Sequence, residues 1–309
     1  MLNLLTRLGL ALAVLAHTAG TLAAQPASDP IELVKEGRQL NAAGKQDEAL
    51  ALYAKALALD PKLFDAHLAA GIALDLKGDY LEARAHLRQA IDLAPAEARA
   101  QALSAMGVSY AFEAKAAEAA EYYTRQFDLQ VAANALDAAA ATANALGRVF
   151  LESGDPANAQ TWYEKGYRTA KKLPNLPADQ ADLWELRYQH ALSRIAARRG
   201  DPATAAKHAV AVKALVDKGG PNAEQVPVYQ YLVGYNALYA KKYDDALVAL
   251  AAADQRDPFI LGLIGRAHEA AGNRSAAREA YGKVMAVNAH NIQNAFSRPL
   301  ARQKLAELK

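Results

Sequence analysis

Residues that could do chemistry are sparse in this sequence and stand apart from one another. The histidines are His17, His67, His86, His190, His208, His268 and His290, and no two have the HxxxH spacing that puts a pair of imidazoles on one metal. His190 and His208 are expected to lie near each other across a helix pair, with no carboxylate cluster beside them. Cysteine is absent, which excludes disulfides, thiolate metal sites and cysteine nucleophiles. No glycine-rich phosphate loop or Gly-x-Ser-x-Gly turn occurs, and Gly219-Gly220-Pro221 is not followed by lysine and threonine. The carboxylate pairs Asp244-Asp245 and Glu118 with Glu121 fall at the starts of predicted helices, where they favour the helix dipole and meet solvent. What remains is cationic and aromatic. Arg187, His190, Arg194 and Arg198 share one helix face at steps of three and four, and Tyr231, Tyr235 and Tyr239 share another. Arginine forks suit carboxylates, and tyrosines give flat contact area at little entropic cost. These residues predict recognition rather than catalysis, with no cofactor and no metal.

The elements that must position them are helices. Hydrophobic residues make up 52% of the 309 residues, and much of that is alanine, the best helix former. A core of small side chains comes from closely approaching helices. Strict alternation of branched residues is missing, so no sheet is expected. The 35 basic and 33 acidic residues leave a formal charge of +2, which argues against a dedicated nucleic-acid partner.

A period organises the chain. Gly37, Leu40, Gly44, Ala49, Tyr53, Ala56 and Pro61 recur 34 residues later as Gly71, Leu74, Gly78, Ala83, Leu87, Ala90 and Pro95. Drifting copies follow, with central alanines at Ala119, Ala159, Ala205, Ala246 and Ala277. In the third copy Ala114 stands where a turn glycine is expected, and the fifth is degenerate, with Ser193 in the small position. Gly154-Asp155-Pro156 and Gly200-Asp201-Pro202 are one device used twice: glycine closes a helix, aspartate caps the next, and proline takes its first turn. Lys171 to Pro177 and Lys218 to Asn222 read as surface loops between units.

The two regular copies resemble the tetratricopeptide repeat family. The resemblance implies an all-α, right-handed superhelical solenoid of about seven helix-turn-helix repeats over residues 31–288. It also implies that the first helix of each repeat lines a concave groove where a protein or peptide binds. The inward stripe would then hold Asn144 and Arg148 from the fourth repeat, Arg187, His190, Arg194 and Arg198 from the fifth, Tyr231, Tyr235 and Tyr239 from the sixth, and Arg266 from the seventh. Such a groove suits an acidic or C-terminal peptide segment. A small molecule or glycan on the same tyrosine-rich surface is the alternative, and an enzyme on a helical-repeat frame is the third; a purely structural role would have Arg194 and Arg198 pair with Glu185 or Asp182 and the tyrosines pack between units. The family's chaperone-binding class carries a lysine and asparagine clamp on the first helix; Val34 and Arg38 hold the comparable places, so that ligand is not implied.

The two ends carry separate expectations. Arg7, the apolar run Leu8 to Ala16 and small residues up to Ala24 read as a secretory signal over 1–24, cut before Gln25, with a flexible lead over 25–30. The mature chain is then periplasmic or secreted, as a scaffold or adaptor in a bacterial envelope with no stable membrane span. Residues 289–309 are expected to form a capping helix near 292–307, with Phe296, Leu300 and Leu305 covering the last repeat and Pro299 beginning or kinking it.

Overall fold

The computed structural model describes residues 29–308, so the expected signal peptide and residues 25–28 of the lead lie outside the described residues. Fourteen helices pair as seven hairpins: α1 (Pro30–Ala42) with α2 (Gln46–Leu59), α3 (Phe64–Lys77) with α4 (Tyr80–Leu93), α5 (Arg99–Ala111) with α6 (Ala116–Ala132), α7 (Leu136–Glu152) with α8 (Pro156–Ala170), α9 (Ala178–Arg198) with α10 (Pro202–Val216), α11 (Val226–Tyr239) with α12 (Tyr243–Ala251), and α13 (Pro258–Ala270) with α14 (Arg274–Ala286). A fifteenth helix, α15, runs Ile292–Glu307. Among the described residues there is no strand, and no helix is long and apolar enough to cross a membrane.

Steric fit repeats from hairpin to hairpin. All seven central alanines are buried, and Ala49, Ala83, Ala119, Ala159, Ala246 and Ala277 have no exposed surface. In six of the seven hairpins a glycine on the first helix makes room for a large residue on the second. A Cβ added to Gly71 would lie 2.6 Å from Leu87, one on Gly107 2.6 Å from Tyr123, and one on Gly265 2.5 Å from Tyr281. In the fifth hairpin Ser193 replaces the glycine and donates its hydroxyl to the Ala205 carbonyl at 2.8 Å. Burying each groove-filling Tyr or Leu contributes roughly 1.5–3 kcal/mol.

Helix ends follow local chemistry. Asp155 and Asp201 accept from the backbone N–H groups of Asn158 and Thr204, and Gly154 and Gly200 are left-handed. Ala114 takes the same left-handed turn with φ 54° despite its Cβ. Pro258 opens α13 behind the cap Asp257, whereas Pro61 and Pro95 follow the ends of α2 and α4.

The position of α15 determines what the inner face can do. Its C-terminal half packs on the last hairpin, where Ala301, Leu305 and Leu308 join Leu261 and Tyr281. Its N-terminal half does something different from capping: Ile292 and Ala295 join Leu76, Val108, Phe112 and Val149 from hairpins two to four. Arg298 bridges the two ends of the array. Its Nε donates to the Leu76 carbonyl at 2.9 Å, and its Nη1 to the carbonyls of Met285 and Val287 at 3.0 and 2.8 Å. Arg302 donates to the same Leu76 carbonyl at 3.0 Å. His290 meets Asp75 at 2.8 Å, Asp75 accepts from Ser109 at 2.8 Å, and Gln46 donates to Asn288 at 3.1 Å. The C-terminal helix therefore lies across the first helices α3, α5, α7 and α13, and the solenoid closes around it. Pro299 sits inside α15, neither at its start nor at its end.

Candidate functional site on the inner face

The predicted arginine and tyrosine stripes come together on α9, α11 and α13, around a carboxylate from α7. Arg194 donates Nη2 to the Tyr163 hydroxyl at 2.8 Å and Nη1 to the Tyr231 hydroxyl at 3.4 Å, and lies 3.6 Å from Glu152. One turn later Arg198 donates to Glu152 at 3.0 Å and to the Tyr239 hydroxyl at 3.1 Å. Arg266 reaches the same Tyr239 hydroxyl from α13 at 3.3 Å. The Tyr235 hydroxyl donates to Glu152 at 3.4 Å. Arg148, one turn before Glu152, lies over Phe259 with its guanidinium carbon 4.5 Å from the ring centre.

Burial separates these residues. Arg194 is 4% exposed and Tyr235 not at all, and His190 and Tyr231 are buried. The open-groove expectation fails for these four, because α13 and the tyrosines fold over them. His190 packs against Tyr231 with ring centres 5.1 Å apart, and its Nε2 has no partner among the described residues. Burial first, then the charges of Arg194 and Arg148, hold its pKa well below the usual histidine value, so the ring is neutral. Burial likewise pushes up the pKa of Tyr163, Tyr231 and Tyr235, which act as neutral donors and acceptors.

Arg198, Tyr239 and Arg266 are only half-buried. They line a cleft of about 330 Å³ with Glu152, Phe259, Leu263, Phe296, Ser297 and Leu300. Two predicted residues do not join. Asn144 turns toward α8, its Oδ1 2.6 Å from where a Cβ on Gly166 would lie. Arg187 is exposed and rests on Trp184 of its own helix, 4.6 Å from the ring centre. Glu152 was missed, although it stands four residues after Arg148 on the same face. The histidines pair differently too. His208 meets Gln189, while His67 and His86 approach to 3.0 Å between Nδ1 atoms. His67 Nε2 faces the Pro61 carbonyl and donates to it, so His67 Nδ1 accepts from His86.

Comparison with known proteins agrees with this geometry. Residues 37–75 match the family described as TPR repeat, and residues 64–97 match the family described as tetratricopeptide repeat. Residues 37–97 of this chain therefore carry tetratricopeptide repeats. The matched stretch is the first two regular hairpins; the drifted hairpins carry the same fold. A tetratricopeptide repeat protein from Parabacteroides merdae has a similar structure, with TM-score 0.52 and 12% identity over 90% of this chain and 98% of the other. The apo form of RapI is similar with TM-score 0.58 and 10% identity over 90% of this chain and 99% of the other. At these identities the likeness is one of fold. No curated protein matches the chain by sequence. Tetratricopeptide repeat proteins are in general non-catalytic protein-interaction scaffolds.

Proposed function

We propose that this chain is an exported bacterial scaffold that holds a protein or peptide segment on the inner face of its solenoid, at the part its own last helix leaves open. The observation that carries the reading is α15 itself. A helix lies across first helices from both ends of the array, bound through arginine forks to backbone carbonyls, so this face suits a chain segment as its occupant. Beside α15, Arg198, Tyr239 and Arg266 remain partly exposed, and they favour a segment that brings a negative charge. Arg7, the apolar run that follows it and the small residues before Gln25 support export to the envelope or beyond.

Two measurements test this. Mass spectrometry of the envelope fraction should find a mature N-terminus at Gln25 or Ala24; intact Met1 there would count against export. Capture of a partner from the native envelope should weaken by about 2 kcal/mol or more in an Arg198→Ala, Arg266→Ala double variant of unchanged helicity. Undiminished capture by a folded double variant would remove this surface from the reading.

A further inference from the structure

The arginines of the inner face carry more positive charge than their surroundings answer. Arg148, Arg194, Arg198 and Arg266 lie around Glu152, and the arginine side chain is a cation at physiological pH. The ion pairs these arginines make among the described residues, from Arg194 and Arg198, both go to Glu152. Glu152 is itself buried, its side chain 4% exposed. Among the described residues Arg148 and Arg266 make none. Arg148 has Nε and Nη2 buried without an acceptor among those residues, and Nε of Arg194 is in the same condition. The neutral His190 supplies no negative charge. A cation withdrawn from water without a counter-charge costs several kcal/mol, and a bound anion offsets that cost.

Arg148 and Arg194 lie behind the cleft, and Arg198 and Arg266 are the two arginines that line it, so an anion there meets these two directly. Arg198 and Arg266 approach one oxygen, the Tyr239 hydroxyl, from two helices, at 3.1 and 3.3 Å. Their guanidinium groups therefore flank a single small volume, the arrangement that clasps a carboxylate. The rest of the wall holds the apolar side chains of Phe259, Leu263, Phe296 and Leu300, beside Ser297 and the Glu152 carboxylate, which is already paired with Arg198 at 3.0 Å. A phosphate is polar on every side and gains nothing from those four residues. A volume of about 330 Å³ lies at the small end of ligand sites.

We propose that the cleft between α9, α11, α13 and α15 binds a carboxylate carried on a compact apolar body, held by Arg198 and Arg266. The carboxylate belongs either to a free organic acid or to the C-terminus of a chain ending in an apolar residue. This deepens the reading above and rests on it only in the second case.

The test uses the full mature chain and calorimetric titration with four probes: 3-phenylpropionate, its amide, the peptide Ala-Ala-Phe with a free C-terminus, and the same peptide amidated. Inorganic phosphate serves as the control anion. At least one free carboxylate should bind, its amide at least tenfold more weakly, and phosphate should not compete. Arg266→Gln should weaken the carboxylate at least tenfold, about 1.4 kcal/mol. Leu300→Trp, which fills the cleft and leaves every charge in place, should abolish binding. Binding of the free acid alone supports the small-molecule source, and binding of the peptide supports the chain terminus. Equal binding of acid and amide, full affinity in Leu300→Trp, or no binding of either carboxylate overturns the proposal. Acid binding lost in Arg266→Gln while envelope capture persists leaves this site standing and removes it from the scaffold reading.

Discussion

Replacing Arg298 by alanine should loosen the grip of the solenoid on its last helix. Arg298 is 7% exposed and makes three hydrogen bonds to backbone carbonyls, to Leu76 on α3 and to Met285 and Val287 at the end of α14. A hydrogen bond from a charged donor contributes about 1.5–3 kcal/mol. The loss is smaller than three times that range, because two acceptors keep a partner. Leu76 still receives Arg302, and Val287 still receives Asn294 Nδ2 at 3.0 Å. Met285 loses its side-chain donor. Burial also lowers the pKa of Arg298, a sign that holding its charge there costs free energy that the substitution returns. The expected net destabilisation is about 3–5 kcal/mol, against about 1–2 kcal/mol for Arg302→Ala with its single bond. Urea unfolding measures the first quantity. Amide hydrogen exchange measures the second consequence, faster exchange through Ile292–Glu307 than in α1 and α2. A loss below about 1 kcal/mol, with exchange in α15 unchanged, would mean that apolar contacts alone hold the helix and that the bracket described here is incidental.

Three further outcomes follow from the same structure. Ala114→Gly should raise stability by about 0.5–1 kcal/mol, since a left-handed alanine costs about 1–2 kcal/mol and glycine's greater freedom in the unfolded chain returns part of the gain; an unchanged or lower melting temperature would refute it. Ala83→Leu and Ala159→Leu should each cost about 1–3 kcal/mol by overpacking a crossing with no exposed surface, and melting like the parent would contradict the register. His190 has its folded pKa held well below 6.5, so below that pH the unfolded chain binds the extra proton. Stability should then rise with pH, and fall by about 1.4 kcal/mol per pH unit as pH drops below 6.5 toward the folded value. His190→Leu should flatten that slope by about one proton, and an identical slope in the variant would show that other groups carry it.

The hairpins were legible because their determinants are local. Ala83, Gly71 and Leu87 meet within one 34-residue unit, and the cap Asp155 reaches only three residues along the chain. The inner face was half legible. Spacing placed Arg194, Arg198, Tyr231 and Tyr239 on common faces, and the fold brings them together. It could not show that α13 and the tyrosines bury Arg194 while Arg198 stays half-open, because that depends on the angle accumulated over three hairpins. Asn144 and Arg187 were misassigned for a related reason: α9 has 21 residues and the helices of the fourth hairpin are also long, so one inward step does not hold along their full length. The contacts of α15 with Leu76 and of His290, just before it, with Asp75 span more than 200 residues, and no pattern in either segment names the other.

Closure by α15 sets a limit on how many repeats this chain can carry. An open solenoid tolerates the gain or loss of a unit, because each repeat touches only its neighbours. Here Leu76 must meet Arg298, Asp75 must meet His290 and Gln46 must meet Asn288. Inserting one hairpin between the fourth and fifth would turn the first half of the array away from α15 and break all three junctions at once. Deleting one would drive the same elements into collision. Consensus-repeat engineering, which lengthens open arrays freely, should therefore yield a stable product from this chain only if a new closing helix is designed with it. Closure also gives the chain a last step in synthesis, since every hairpin can form before residues 288–302 have been made, but the ring cannot.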